Sequence, residues 1–186
     1  MDATPLPVYV ISGQLAAGKS TVAKAVLDRH PFGYHVDVDG IREMVTSGLA
    51  SPLAWTDETS RQFGLAIRAS AALARIYANA GFAVAIEGGI DPDAVESALD
   101  EVGLRDRMIG VVLRPRLDVA LERNRARTHK GFDTSILEGV MREIDGDLAR
   151  DAGRPGWHEL DSSDQTIGET VDAVLRLASA AHQKAG

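Results

Sequence analysis

Short runs of consecutive apolar residues alternate along the chain with longer segments whose apolar positions recur every three to four residues. The first run, Val8 to Ser12, predicts a short buried strand that leads into a glycine-rich turn. The same reasoning predicts four further strands, at 34–38, at 82–86, within 107–113 and at 157–160. Strands without a polar face are typical of parallel sheets that are covered on both sides.

Helical spacing predicts seven helices, at 19–29, 40–47, 57–79, 92–102, 115–127, 134–149 and 166–181. The long helix at 57–79 is rich in alanine, with Thr56 or Asp57 as its N-cap and Gly81 beyond its end. Because strands and helices alternate, we expect an α/β fold with helices on both faces of a mostly parallel sheet. Such sheets bind ligands at the carboxyl ends of their strands.

Composition narrows the class of protein. The chain has 186 residues, of which 45% are hydrophobic and 25% charged, so we expect one globular domain over residues 1–186. It has no cysteine, and its five histidines are scattered, so neither disulfides nor a zinc site is expected. The net charge of −7 disfavours nucleic-acid and anionic-membrane binding. No apolar run approaches the length of a membrane span or a signal peptide, so we expect a cytoplasmic protein.

A phosphate-binding loop is the most specific motif in the chain. Residues 13–20, Gly-Gln-Leu-Ala-Ala-Gly-Lys-Ser, match G-x-x-x-x-G-K-[ST] in full between a predicted strand and a predicted helix. The glycines let backbone N–H groups converge on phosphate oxygens, Lys19 reaches the β- and γ-phosphates, and the Ser20 hydroxyl binds magnesium. The expected nucleotide-binding residues in this segment are Gly13, Gln14, Ala16, Ala17, Gly18, Lys19, Ser20 and Thr21.

Several classes of nucleotide-binding protein share this loop. Asp37-Val38-Asp39-Gly40 matches the D-x-x-G pattern of GTPases, but the chain has no N-K-x-D guanine-binding motif. An AAA+ motor would need a helical lid domain that 186 residues cannot easily hold. A small phosphotransferase remains.

The motifs together resemble those of the small P-loop kinases and phosphotransferases. The loop at 13–20, Asp37-x-Asp39 after the second strand and Gly88-Gly89 after the third are similar to shikimate and gluconate kinases. Asp39-Gly-Ile-Arg42 is similar to the D-x-x-R element of polynucleotide 5′-kinases, and chloramphenicol phosphotransferase has an Asp in that place. The arginines within 123–127 resemble the lid arginines of the group, and 160–171 resembles its last strand and helix.

This resemblance implies a three-layer P-loop NTPase fold with a five-stranded parallel sheet in the order 2-3-1-4-5 and a small lid. It also implies that ATP and Mg²⁺ bind, and that the γ-phosphoryl group passes to an acceptor hydroxyl. Asp161-Ser162-Ser163, after the last strand, would line the adenine pocket. The resemblance identifies the group and leaves the acceptor open.

Two carboxylates after the second strand are candidates for acceptor chemistry. Asp39 is the expected base for the acceptor hydroxyl, and Asp37 would hold a magnesium-bound water. Both side chains would share one face if the strand continued regularly, and their roles could be exchanged. Asp39 could instead be the N-cap of a helix from Gly40. Arg42, one turn later, would bind an acceptor phosphate, carboxylate or hydroxyl.

The third strand ends in Glu87-Gly88-Gly89. Many members of the group have Asp, or Thr before glycines, where this chain has Glu87, which puts the usual magnesium-water role in doubt there. Glu87 would instead accept a hydrogen bond from the acceptor, and Gly88 and Gly89 would let the acceptor approach the backbone. Asp91 would either face the cleft or cap the following helix.

Two lids are expected beside the site. The acceptor-side lid covers about residues 46–62, where Trp55 would either stack on a substrate ring or anchor the packing. The arginine lid covers about residues 123–133, where Arg123 and Arg127 are four residues apart and would share a helix face. These two arginines would bind the nucleotide and stabilise the transferring phosphoryl group.

The sequence thus predicts an ATP- and magnesium-dependent phosphotransferase that acts on a hydroxyl of a small metabolite or antibiotic. Its expected catalytic residues are Lys19, Asp39, Arg123 and Arg127. A polynucleotide or nucleotide 5′-kinase and a non-catalytic ATP-binding regulatory or resistance module are the alternatives. We expect a monomer or a weak homodimer.

Overall fold

Five parallel strands form one sheet in the order β2-β3-β1-β4-β5 in the computed structural model, which describes residues 5–126, 134–150 and 153–185. The strands are β1 (Val8–Gly13), β2 (Gly33–Asp37), β3 (Ala83–Glu87), β4 (Met108–Leu113) and β5 (Trp157–Leu160). This order confirms the P-loop NTPase fold expected from the motifs.

The helices are α1 (Lys19–Leu27), α2 (Val38–Glu43), α3 (Asp57–Asn79), α4 (Pro92–Glu101), α5 (Leu117–Arg125), α6 (Glu138–Arg150) and α7 (Ile167–Ala185). Short 3₁₀ turns lie at Arg105–Arg107 and Thr134–Leu137. The predicted bounds of α3 are confirmed. The prediction that a helix spans 40–47 is wrong, because the helix begins at Val38, directly after the strand, and ends at Glu43.

Alternate residues of the central strand β1 face opposite sides of the sheet, which gives each face its own core. Val8 and Val10 pack with α3 and α4, whereas Tyr9 and Ile11 pack with α1 and α7. All four side chains are fully buried, as expected for a strand covered on both faces. The sheet is therefore a rigid support for the loops at its carboxyl edge.

The carboxyl edge brings the ends of β1, β2 and β3 side by side. In the parallel register Asp37 pairs with Glu87, and Glu87 also pairs with Ile11, two residues before the phosphate-binding loop. A third apolar cluster, formed by Ala16, Ala120, Leu121 and Met141, packs α5 and α6 against that loop. The edge thus gathers the motifs that the sequence singles out.

Candidate active site

The phosphate-binding loop is held open by unusual backbone geometry. Gly13 has φ +130°, and a Cβ there would lie 2.1 Å from the carbonyl oxygen of Leu113. Gly18 has φ 88° at the N-cap of α1, so the helix N-terminus faces the loop. The ammonium group of Lys19 donates hydrogen bonds to the carbonyl oxygens of Gly13 and Gln14, at 3.1 Å each. Backbone and lysine thus enclose the position where the motif predicts that phosphates bind.

The side chain of Gln14 points away from this opening. It is fully buried, its Nε2 donates to the carbonyl oxygen of Met141 at 2.8 Å, and its Oε1 accepts from the N–H of Leu15 at 2.8 Å. Only the backbone of Gln14 is therefore available for the contact with the nucleotide that the sequence predicts. Ala16 and Ala17 are also buried, and they form one wall of a cavity of about 230 Å³.

That cavity lies on the outer side of the loop. Besides the loop alanines, its lining includes Gly18, Thr21, Arg123 and Ser162. Arg123 donates to the carbonyl oxygens of Ser162 and Ser163, at 2.9 and 3.2 Å. The Ser162 hydroxyl is buried and has no hydrogen-bond partner among the described residues. The cavity therefore suits a ligand that offers a hydrogen-bonding group to Ser162.

Glu87 joins the third strand to the phosphate-binding loop. The side chain is almost fully buried, and His35 Nε2 donates to its Oε1 at 3.2 Å. Burial by itself would raise the pKa of Glu87. Hydrogen bonds from His35 and the Ser20 hydroxyl, together with the charges of His35 and Lys19, nevertheless hold the pKa of Glu87 below its ordinary value. Glu87 is thus an ionised carboxylate in contact with the predicted magnesium ligand Ser20.

Asp39 lies in the first turn of α2 and is close to Lys19, Asp37 and Glu87. Burial is the main cause of its raised pKa, and the charges of Asp37 and Glu87 raise it further. The Lys19 ammonium and a hydrogen bond from the backbone N–H of Gly89 act in the opposite direction. The carboxylate is therefore partly buried beside the lysine of the phosphate-binding loop, as expected for a group that accepts a proton there.

Asp37 has a different position from the one expected. The strand ends at Asp37, so Asp37 and Asp39 do not lie on one strand face. Asp37 is the N-cap of α2 and accepts a hydrogen bond from the backbone N–H of Gly40 at 3.0 Å. The alternative that Asp39 caps the helix is wrong, since a helix that starts at Val38 places Asp39 inside its first turn. Asp37 is exposed at the mouth of the site.

The glycine pair after β3 makes room for Asp39. Gly88 has φ +143°, and a Cβ there would lie 3.2 Å from the Cβ of Val38 and 3.4 Å from a carboxylate oxygen of Asp39. A Cβ on Gly89 would lie 3.6 Å from Asp39 Oδ1 and 3.6 Å from the ring of Phe63. Asp91, further along, caps α4 by accepting from the N–H of Ala94 at 2.8 Å, which confirms the capping alternative.

Phe63 is a residue of the site that the sequence did not reveal. The indole ring of Trp55 stacks on it with ring centroids 5.2 Å apart, and the Arg42 guanidinium lies over its ring at 4.7 Å from the centroid. Arg42 is only 5% exposed, and it donates to the carbonyl oxygen of Ala50 at 2.9 Å. Both Trp55 and Arg42 are thus tied to the acceptor side of the site through Phe63.

The predicted acceptor-side lid consists of a loop and the start of a helix. Residues 44–56 are irregular, and 57–62 form the first turns of α3. Gln62 donates to the carbonyl oxygen of Gly48 at 2.8 Å and accepts from the N–H of Ala50 at 3.0 Å. Thr59 donates to the carbonyl oxygen of Ser51 at 3.2 Å. Helix α3 therefore fixes the middle of the loop.

The arginines between residues 114 and 125 divide into two groups. Arg114, Arg116 and Arg125 form ion pairs with Asp145, Asp164 and Glu138 at 3.1, 2.7 and 2.7 Å. Arg123 instead reaches the cavity beside the phosphate-binding loop. Helix α5 ends at Arg125 among the described residues. Arg127 and the rest of the predicted lid up to residue 133 lie outside the described residues.

The oxygen donors near the loop fit magnesium. The Ser20 hydroxyl and the Glu87 carboxylate are in contact, and Asp37 is at the mouth of the same site. Among the described residues no group of three or more His, Cys, Asp or Glu side chains could by itself hold a metal ion. Magnesium in kinases is typically bound by one or two protein oxygens together with substrate phosphates and water, so this donor set is sufficient.

Comparison with known proteins agrees with this geometry. A family model described as AAA domain matches residues 8–146, which include the phosphate-binding loop, Asp39 and Glu87. The chain belongs to the AAA domain family. The sequence-based exclusion of an AAA+ motor rests on chain length and stays a prediction. The sequence matches none of the curated proteins compared with it.

Solved structures of kinases and of a tunicamycin resistance protein share the fold. A sugar kinase from Janibacter sp. HTCC2649 is 19% identical, with 94% of this chain and 95% of that chain covered and a TM-score of 0.69. Shikimate kinase from Bacteroides thetaiotaomicron is 16% identical, with 93% and 98% covered and a TM-score of 0.63. The tunicamycin resistance protein of Deinococcus radiodurans is 17% identical, with 92% and 94% covered and a TM-score of 0.64. The resemblance to the P-loop kinase group is thereby confirmed at the level of the fold.

A membrane span is not found in the described ranges: none of their helices combines the length and the hydropathy that crossing a bilayer requires.

Proposed function

We infer that this chain, acting as a single-domain enzyme, transfers the γ-phosphoryl group of MgATP to a hydroxyl group of a small metabolite or antibiotic. The observation that carries this proposal is the position of Asp39. Its partly buried carboxylate lies close enough to Lys19 for that ammonium to lower its pKa, while the rest of its surroundings raise it. A proton acceptor thus stands beside the lysine that would bind the γ-phosphate.

The nucleotide side of the proposed reaction uses the phosphate-binding loop and the neighbouring cavity. The backbone N–H groups of the loop would bind the phosphates, and Lys19 would leave the carbonyl oxygens of Gly13 and Gln14 for phosphate oxygens. The nucleoside would occupy the cavity lined by Thr21, Arg123 and Ser162. The buried Ser162 hydroxyl would then gain a hydrogen-bond partner.

Asp39 would act on the acceptor hydroxyl. The acceptor oxygen forms a bond to the γ-phosphorus, the bond from that phosphorus to the β,γ-bridging oxygen breaks, and its electron pair leaves with ADP. The hydroxyl proton passes to the carboxylate of Asp39. The raised pKa of Asp39 suits this role, because a general base works best when its pKa approaches the operating pH.

Ser20 and Glu87 would hold magnesium, Glu87 through a bound water. Magnesium, when bound, would offset the negative charge of the phosphates. Glu87 suits this role better than Asp37, because it contacts the Ser20 hydroxyl and its pKa is held low. The carboxylate of Asp37 is engaged with the N–H of Gly40. This assignment differs from the sequence prediction, which gave the magnesium water to Asp37.

Positive charge on the lid would complete the site. Arg123 is already beside the phosphate-binding loop, where a guanidinium suits phosphate oxygens because it is planar and always charged. Arg127, four residues later in the sequence, would stabilise the transferring phosphoryl group together with it. Arg125 is paired with Glu138 and is not assigned a role.

The direct test incubates the protein with γ-labelled ATP, magnesium and a panel of hydroxyl compounds, and follows label on the acceptors. The panel contains sugar acids, shikimate, hydroxylated antibiotics, nucleosides and a 5′-hydroxyl oligonucleotide. Lys19→Met should abolish transfer, whereas Lys24→Met, a matched exposed lysine on the same helix, should leave it unchanged. Nucleotide binding without transfer to any acceptor would instead favour a non-catalytic binding module.

A further inference from the structure

The acceptor-side loop, defined as residues 44–56, contains no ionisable side chain, although a quarter of the whole chain is charged. Acceptors that carry a carboxylate or phosphate are usually recognised by arginine or lysine, which form charge-assisted hydrogen bonds with them. The loop cannot supply such a bond from its side chains. An uncharged acceptor is the kind of ligand that this surface complements.

The same loop presents apolar side chains to the outside. Met44, Leu49, Leu53 and Trp55 are all exposed, and they account for four of the nine large hydrophobic side chains that are exposed in the described part of the chain. Such a concentration of exposed apolar surface marks a place where a ligand or partner binds. Because the loop borders the site of Asp39, a ligand of that site is the occupant we consider.

Trp55 forms a flat platform within this surface. One face of its indole stacks on Phe63 with an angle of 16° between the rings, and its Nε1 donates to the hydroxyl of Ser60 at 2.8 Å. The side chain is therefore held in one orientation, yet Trp55 is 63% exposed. Its other face is open. A ring that stacks there meets an indole that loses little conformational entropy on binding.

The platform adjoins the proposed base through Gly89. Atoms of Phe63 and of the Asp39 carboxylate lie at the same distance, 3.6 Å, from the position of a Cβ on Gly89. The edge of Phe63 and the carboxylate of Asp39 thus border one opening. Phe63 thereby links the indole of Trp55 on one side to the surroundings of Asp39 on the other, and a ligand stacked on Trp55 can direct a hydroxyl toward Asp39.

Arg42 supports the platform from inside the protein. Its guanidinium is buried, lies over Phe63 and donates to Ala50 within the loop. Its Nε has no hydrogen-bond partner among the described residues, but that atom is inaccessible. With Nη1 bonded to Ala50 and Nε inaccessible, this guanidinium cannot offer a carboxylate or phosphate the pair of parallel hydrogen bonds by which arginine usually holds it. An uncharged ring needs no such pair.

We propose that the acceptor is an uncharged compound with a flat aromatic or conjugated ring, which stacks on the open face of Trp55 while one of its hydroxyls reaches Asp39. The proposal rests on the proposed kinase function and names its substrate class. The transfer step is the one given above, with the hydroxyl proton passing to Asp39.

Binding can be tested apart from turnover with 1-phenyl-1,2-ethanediol as the aromatic probe and gluconate as the charged, ring-free probe. The chain has two tryptophans, Trp55 and the buried Trp157. We expect the diol to quench the tryptophan emission of the wild-type protein saturably, and expect no quenching in Trp55→Leu. Gluconate should leave the emission unchanged. These measurements need no phosphoryl transfer.

Turnover supplies the second readout. With γ-labelled ATP, Trp55→Leu should raise the KM for the diol roughly tenfold and leave kcat and the KM for ATP unchanged, because it removes only stacking. Phe32→Leu is the matched control, since Phe32 is an exposed aromatic residue just before the amino end of β2, whereas the candidate site lies at the carboxyl ends of the strands. It should leave every constant unchanged.

Each alternative result separates the two proposals. Transfer to gluconate in preference to the diol, with no effect of Trp55→Leu, would overturn the aromatic acceptor while the kinase function stands. Saturable quenching by the diol without transfer to any compound would support the aromatic site and contradict the kinase function. The absence of both quenching by the diol and transfer to it would overturn the present proposal.

Discussion

The side-chain amide of Gln14 donates a hydrogen bond across 2.8 Å to the carbonyl oxygen of Met141, 127 residues later in the chain. The same side chain accepts a hydrogen bond from the N–H of Leu15, so both ends of the amide are satisfied inside the protein. This contact ties the phosphate-binding loop to α6. Because α5, which carries Arg123, packs in the same apolar cluster as Met141, the loop and the base of the arginine lid form one unit.

Replacing Gln14 with leucine should destabilise the protein. The substitution removes both hydrogen bonds and leaves the N–H of Leu15 without its partner, which we expect to lower the free energy of unfolding by about 1–3 kcal/mol. Urea unfolding followed by circular dichroism measures this change. Asn79→Leu is the control, because Asn79 is exposed at the end of α3 and should change the free energy by less than about 0.5 kcal/mol. Equal stability of the two variants would show that the buried contact contributes nothing.

Replacement of two glycines by alanine should change the free energy of unfolding in opposite directions. Gly13→Ala places a Cβ 2.1 Å from a main-chain oxygen at φ +130°, so we expect the free energy of unfolding to fall by about 2–4 kcal/mol. Gly64 lies within α3 with open space around its Cβ position, so Gly64→Ala should raise it by about 0.5–1 kcal/mol. Thermal melting of both variants checks the pair. Similar melting temperatures for the two variants would contradict the loop geometry.

We expect the ionised side chain of Asp39 to lower the free energy of unfolding near neutral pH. Folding raises its pKa, chiefly through burial, so the folded state binds its proton more tightly than the unfolded state does. The contribution of Asp39 to the free energy of unfolding is fully present below its pKa in the unfolded state, about 3.9. This contribution is lost as the pH rises through its higher pKa in the folded state. Asp39→Asn should therefore raise the melting temperature at pH 7, with the gain disappearing at acidic pH.

The control for this effect is Asp28→Asn, since Asp28 is exposed beyond the end of α1 and should give no comparable change. Melting curves of both variants across the pH range are the measurement. A lower melting temperature for Asp39→Asn at pH 7 would mean that the ionised carboxylate stabilises the fold.

Magnesium dependence should distinguish Glu87 from Asp37. Glu87→Gln removes the carboxylate that accepts from the Ser20 hydroxyl, so we expect the magnesium concentration for half-maximal activity to rise by roughly tenfold or more. Asp37→Asn retains a side chain that can cap α2, so its effect should stay within about twofold. Activity measured over a magnesium titration decides between them. The opposite order of effects would return the magnesium water to Asp37.

Much of the fold could be predicted because its signals are local. Apolar runs locate all five strands, and the bounds of α3 follow from its apolar period and its capping threonine, Thr56. The strand order was accessible only through the resemblance, since no local pattern says which strands pair. The start of α2 was misplaced because a valine-rich strand end and a first helical turn look alike in a sequence.

A sequence points to the candidate site where a motif marks it and gives no signal where distant contacts build it. The phosphate-binding loop follows from its spacing, and Asp39 is proposed from its place after the second strand and from the resemblance. Phe63 looks like one more apolar residue of an alanine-rich helix, and its contact with Arg42 depends on how α2 and α3 pack. The hydrogen bond from His35 to Glu87 joins two neighbouring strands and has no sequence signature.

The proposed role of Asp39, to accept the proton of the acceptor hydroxyl, is best tested by single-turnover transfer from γ-labelled ATP. Asp39→Asn is compared with the wild-type protein, and nucleotide affinity is measured in parallel. We expect the transfer rate to fall by roughly 10²–10⁴-fold while ATP binds with unchanged affinity. Transfer at a near-normal rate would contradict it and remove Asp39 from the mechanism.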